Sequence, residues 1–228
     1  MQSALNLLGK VFSLIVLISA AMCWYLTNVE RAQILEAHLQ VRENVIPTAS
    51  NMKIMRYSRK LEELAAYWAG WCQFKHPDPN YYHPYRGIGQ NIALYFGRKP
   101  PLTESVCGWA SEVKHYTYST NKCSRVCGHY TQIVWANTNE LGCATQECYD
   151  VFPGYQNPQY LIVCQYKPIG NYARQRPYIS GGICKGCNST QSCLRNQCAK
   201  RNNSRIYPLE ALKNPKYKTL PKCLNITY

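Results

Sequence analysis

The stretch Gly128-His-Tyr-Thr-Gln-Ile-Val-Trp135 sits where helical patterning gives way to short runs of aromatic and β-branched residues. Such residues predict a strand over residues 130–136. Asn137-Thr-Asn139 supplies a turn, and similar runs predict strands over residues 141–149 and 160–166. Upstream the period changes to that of helices. Residues 30–44 place Ile34, Leu35, His38 and Val41 on one face, and Pro47 follows. Residues 58–74 repeat Leu61, Leu64, Ala65, Trp68, Trp71 and Cys72 at helical spacing, with Ser58 as N-cap. Residues 103–116 align Val106, Trp109, Ala110 and Val113 behind Pro100 and Pro101. Helices followed by an antiparallel sheet define an α+β class. The long connection over residues 75–101 holds His76, His83 and four tyrosines. Loops of that length in compact domains often carry function.

The N-terminus predicts the compartment. Lys10 precedes an apolar run over residues 11–21 that ends in Ser19, Ala20 and Ala21, the layout of a signal peptide spanning residues 1–23. The run is short for a membrane span. The chain has 13 cysteines, and cleavage after Cys23 would leave an even number for pairing in an oxidising space. Asn188, Asn202 and Asn225 open glycosylation sequons. Secretion to the extracellular space is the expectation.

The formal charge of +14 is concentrated at the C-terminus: residues 171–228 carry +10 and the first 170 residues only +4. This tail is either a solvated, solubilising segment or a surface for anionic glycans, acidic lipid headgroups or acidic proteins. No nucleic-acid module is present, and nucleic acid is not an expected partner.

Metal-capable residues are few. The histidines are His38, His76, His83, His115 and His129, and no pair has a local metal-binding spacing. By spacing alone each reads as an ordinary structural histidine. The opening stretch, however, resembles the signature of the CAP superfamily, which includes cysteine-rich secretory proteins, antigen 5 and pathogenesis-related group 1 proteins. Pro158-Gln-Tyr-Leu-Ile-Val-Cys-Gln-Tyr-Lys-Pro-Ile-Gly-Asn-Tyr172 resembles its second signature. His38-Leu-Gln-Val-Arg42, Trp71-Cys-Gln-Phe-Lys-His76, Gly89-Gln-Asn91 and Trp109-Ala-Ser-Glu112 fall in the family's order. The resemblance spans residues 30–172, and the overall pattern is similar to venom allergen-like proteins of parasitic worms.

The resemblance implies an α-β-α sandwich with a central antiparallel sheet, followed by a Cys-rich, hinge-like basic extension over residues 173–228. It implies a cleft in which His76, His129 and Glu112 hold a divalent cation such as zinc. The family's fourth ligand is a Glu, and Gln90 stands in its place. A neutral amide removes one charge, so weak binding is expected. Leu39 replaces the family's usual Asn. Pro77 stands where some relatives carry a Ser beside the first His, which removes a nucleophile, so no catalytic residue is assigned. The resemblance further implies bridges Cys72–Cys148, Cys143–Cys164, Cys184–Cys193 and Cys187–Cys198. Cys123 and Cys127 flank a short loop and are expected to pair. Cys107 and Cys223 remain without an assigned partner, with pairing to each other as one option.

These readings favour a binding protein. The first expectation is a lipid or sterol ligand in an apolar groove built from Tyr81, Tyr82 and Tyr85, the alternative being that these rings simply pack the domain. The second is an immunomodulatory or signalling interaction protein that uses the basic surface, its receptor unspecified. A metal-dependent hydrolase ranks third.

Overall fold

A computed structural model of the chain describes residues 26–201 and Cys223. The signal segment and the sequons at Asn202 and Asn225 lie outside the described residues. Helix α1, Asn28–Glu43, opens with a capping box in which the Thr27 hydroxyl accepts from Glu30 N–H (3.2 Å) and the Glu30 carboxylate accepts from Thr27 N–H (2.7 Å). Strand β1, Arg56–Tyr57, leads into helix α2, Arg59–Ala69. Ser58 is the N-cap residue of α2, but its hydroxyl makes no capping bond. The helix is shorter than its apolar period. Past Gly70 the chain turns, and Cys72 takes a left-handed conformation (φ 51°) that points its sulfur at Cys148.

The connection over residues 75–101 is not all loop. Strand β2, Gly89–Phe96, occupies its second half. Ile92 and Leu94 face one side and Ala93 and Tyr95 the other, an alternation hidden beside the Gly and Pro of the segment. Helix α3, Leu102–Ala110, continues as a 3-10 turn over Ser111–His115 rather than as one long helix. Strands β3 (Tyr116–Thr117) and β4 (Lys122–Cys123) make a small hairpin.

The expected strand over residues 130–136 is instead a short helix, α4, Gly128–Ile133. Thr131 N–H donates to Cys127 O and Val134 N–H to Tyr130 O. Tyr130, Thr131, Gln132 and Ile133 are all buried, so the alternation of a half-exposed strand is absent. Burial on every side overrides the strand preference of these residues, which is context-dependent.

Strands β5 (Glu140–Cys148) and β6 (Gln159–Lys167) complete a sheet in the order β1-β5-β6-β2. β5, β6 and β2 are antiparallel, whereas the two-residue β1 runs parallel to β5 at the edge. The sheet is the middle layer of a sandwich. Leu161 and Val163 of β6 pack with Ala65 and Trp68 of α2. Ile162, Cys164 and Tyr166 face the opposite core with Ile34, Leu35, Val106 and Tyr130, from α1, α3 and α4. The α2 contact is close: a Cβ on Gly142 of β5 would lie 2.2 Å from Glu62 N and 2.5 Å from Ser58 O. At the sheet edge, Arg31 of α1 donates to both oxygens of buried Glu62 (2.7 and 2.8 Å), which also accepts from the Tyr57 hydroxyl.

The extension over residues 173–201 folds back onto this body. Strands β7 (Gln191–Leu194) and β8 (Gln197–Lys200) form a hairpin whose turn residues, Arg195 and Asn196, both have positive φ. Arg195 donates to Glu36 and Glu43 of α1 at 2.6–2.9 Å. The disulfides are Cys72–Cys148, Cys143–Cys164, Cys123–Cys127, Cys184–Cys193, Cys187–Cys198 and Cys107–Cys223. Such bridges each stabilise by about 2–4 kcal/mol. Among the described residues no helix is long and apolar enough to cross a membrane.

Candidate functional site

The site grows from two elements, the 3-10 turn after α3 and the start of α4. Glu112 on that turn faces the first residues of α4. Its Oε1 accepts from His129 Nδ1 (2.7 Å), and its Oε2 accepts from the backbone N–H of His129 (3.1 Å) and Tyr130 (3.2 Å). One carboxylate thus fixes both the ring and the backbone of His129. Trp109 stacks on the same ring, with centroids 5.9 Å apart. In the neutral tautomer whose Nδ1–H donates to Glu112, His129 leaves Nε2 open as a lone pair.

His76 is held in the same way. Its Nδ1 lies 2.8 Å from Gln90 Oε1, so the amide oxygen accepts the proton and Nε2 is again left open. His76 and Gln90 line a cavity of about 290 Å3 with Pro79, Tyr85, Gln132 and Asn171; His129 and Glu112 are not among its walls. Gln90 Nε2 is buried without a hydrogen-bond partner. Gln165 faces it across the β2–β6 register and is fully buried with both amide atoms unpartnered. Gln90 and Gln165 thus place carboxamides, and no second carboxylate, behind His76.

The structure thus makes two pairs, His129 with Glu112 and His76 with Gln90. No group of three or more His, Cys, Asp or Glu converges to hold a metal among the described residues. The donor chemistry suits two imidazole ligands oriented from behind, the usual support of metal-bound histidine. It offers a cation one carboxylate, whose oxygens already accept three N–H groups.

A second network supports the site from below. His38 is fully buried; its Nδ1 bonds Ile34 O (2.8 Å) and its Nε2 the Tyr166 hydroxyl (2.9 Å). Asn91 donates to the same hydroxyl (3.3 Å) and to His129 O (3.1 Å). Burial depresses the His38 pKa to about 4, so the ring is neutral. Leu39, in place of the family's Asn, is core; the link from α1 to the cleft runs through His38 and Tyr166. Beside it, Arg42 is buried and donates to the carbonyls of Ile133, Trp135, Lys53 and Thr138 and to Gln197 Oε1. Burial lowers its pKa to about 9. His38, Arg42, Asn91, Gln165 and Tyr166 all stand inside signature segments, yet spacing alone gave no sign of these partners.

The tyrosines expected to share a groove do not. Tyr85 is core, 3% exposed, with its hydroxyl on Leu64 O (2.9 Å). Tyr81 is 82% exposed. Tyr82 packs edge-on against Trp68 and Trp71 at 5.2 and 5.4 Å. Together with Tyr67, 5.8 Å from Trp71, these rings make an aromatic shelf at the C-terminal end of α2, where Tyr67 and Trp71 reach solvent.

A disulfide-stapled α-β-α sandwich with two histidines, each oriented through its Nδ1, and a docked Cys-rich hairpin defines a class of extracellular-type domain. The profile of the cysteine-rich secretory protein family, CAP, matches residues 24–166, and the chain belongs to that family. It is 37% identical to mouse glioma pathogenesis-related protein 1 over 75% of this chain and 65% of the relative. It is 36% identical to human GLIPR1-like protein 1 over 72% of this chain and 69% of the relative. The chain thus spans just under two thirds of the first of these. Among solved structures, NaASP2 with Zn2+ superposes with a TM-score of 0.62 at 27% identity, covering 76% of this chain and 96% of that one. Na-ASP-1 gives 0.66 at 25% identity, covering 77% and 48%.

Proposed function

We propose that this is a secreted CAP protein that acts by binding, and that its ligand is an apolar molecule, a sterol or fatty acyl chain, taken up on the aromatic shelf. The observation carrying this reading is the shelf itself: Trp71 and Tyr67 stay 39% and 58% exposed although they contact neighbouring rings. Covering about 200 Å2 of such surface releases about 5 kcal/mol before the entropy of association is subtracted. Catalysis has little support. Neither His76 nor His129 bonds a hydroxyl or thiol; their ring partners are Gln90 and Glu112. The Ser124–His115 contact is 3.5 Å long, exposed, and lacks an orienting carboxylate. The disulfides suit an oxidising compartment, and Asn188 sits in an exposed turn as a glycosylation acceptor.

The test is titration of a fluorescent sterol and a fluorescent fatty acid into the secreted protein, compared with Trp71→Ser combined with Tyr82→Ser. A loss of about tenfold or more in affinity is expected, from removing ring burial. Tyr85 must be spared, because it is core. A wild-type protein that binds neither probe ends this reading.

A second reading, weak divalent-cation binding, is supported by the two histidines held with Nε2 open and by a structural relative solved with Zn2+. His76 and His129 would be the ligands, with Glu112 orienting His129 or joining it; the ion would supply a Lewis-acidic, water-binding centre.

A further inference from the structure

A larger cavity lies away from the histidines, where the tail first meets the domain. It measures about 640 Å3, within the range of ligand sites. Residues 175–180 form one wall; Trp135, Ala136 and Asn137 form another, closed by Tyr118 and Asn51. A second hollow of about 240 Å3 shares Trp135, Gln175 and Pro177 and runs on past Arg174 and Asn171 to Tyr116. The two make one elongated groove.

Its walls are fixed. Ala136 N–H donates to Pro177 O (2.7 Å), the Tyr118 hydroxyl to Tyr178 O (2.7 Å), Ser180 N–H to the Tyr118 oxygen (3.0 Å) and Ser50 N–H to Ile179 O (2.9 Å). Arg176 Nε donates to Tyr118 O (2.9 Å), and its guanidinium lies 5.6 Å from the Tyr118 ring centre. A groove held this way spends little ordering entropy on a ligand.

The lining chemistry is selective. Both hollows together contain two guanidinium groups, Arg174 and Arg176, and no Asp or Glu. The side chains of Asn137, Arg174 and Gln175 are exposed and make no hydrogen bond among the described residues. Carboxamides both donate and accept, as sugar hydroxyls require, and guanidinium groups pair with sulfate oxygens. Trp135 and Tyr178 are almost wholly buried, and of the large apolar side chains on the walls Ile179 and Tyr172 reach solvent, beside the guanidinium and amide groups that set the groove's polarity. The net charge of +14 would draw an anionic polymer toward it.

We propose that this groove binds a short segment of sulfated oligosaccharide, with Arg174 on a sulfate and Asn137 and Gln175 on hydroxyls. It is separate from the aromatic shelf and does not depend on the apolar-ligand reading.

The experiment is calorimetric titration of the full secreted chain with a heparin-derived hexasaccharide. Arg174→Gln combined with Asn137→Ala is compared with Lys60→Gln, an equal charge change on the exposed face of α2. The groove variant should lose about tenfold in affinity, as expected for a charge-assisted contact and an amide contact. The Lys60 variant should change little, and the Trp71→Ser/Tyr82→Ser protein should bind as wild type. Equal losses in the groove and Lys60 variants would mean general charge attraction and overturn the site. A poly-glutamate peptide of matched charge that binds as tightly, with the same loss in the groove variant, would overturn the saccharide in favour of an acidic protein.

Discussion

Gln90 holds His76 by its oxygen and leaves its buried nitrogen idle. Gln90→Glu would keep the acceptor for His76 and add the charge that a cation needs, so zinc affinity should rise by about tenfold or more in calorimetry. An unchanged affinity, with His129→Ala also silent, would remove the cation reading. His38 is a second residue whose charge state matters. Its folded pKa of about 4 lies below the unfolded value of 6.5. The unfolded chain therefore binds the proton first as pH falls. The stability linked to neutral His38 is complete above pH 6.5 and is lost progressively as pH falls toward about 4. Over that window the loss should approach about 3 kcal/mol. Denaturant midpoints between pH 7 and 4 should fall less steeply in His38→Gln, and parallel slopes in the two proteins would contradict the assignment.

Among the elements, α2 lies against β5 backbone to backbone. Gly142 has no room for a Cβ, because backbone atoms of Ser58, Leu61 and Glu62 stand 2.2–2.6 Å from where it would lie. Gly142→Ala should cost about 3 kcal/mol or more, read as a lowered unfolding midpoint, since overpacking against backbone cannot relax through a rotamer. Helices α1 to α3 were legible because each buries one periodic face, as with Leu61, Ala65 and Trp68 on α2; β5 and β6 are buried on both faces and were legible as short runs of β-branched and aromatic residues. α4 was not, since Tyr130 to Ile133 are buried throughout and a six-residue segment has no period to read. β2 was missed because its first residues, Gly89, Gln90 and Asn91, look like loop and serve the site rather than the core. The family signatures located His76, Gln90, Glu112 and His129. Which of them touch depends on contacts between elements distant in sequence, and these leave no mark on local spacing.

At the scale of the molecule, the basic extension as far as residue 201 is part of the folded body. Arg195 spends its charge on Glu36 and Glu43, and Gln197 receives Arg42 from the last turn of α1. Pro177, Ile179 and Cys198 carbonyls accept backbone N–H groups from residues 136, 50 and 54. Cutting the chain after Tyr172 would remove these supports along with the basic residues, so point substitutions such as those at Arg174 probe its charge more cleanly. The Cys107–Cys223 bridge has a mechanical side as well. Tension applied to the chain beyond residue 223 would pass through the bridge directly into α3. The β7–β8 hairpin and the groove beside it would stand outside the line of force, and would keep their shape while the end of the chain was pulled.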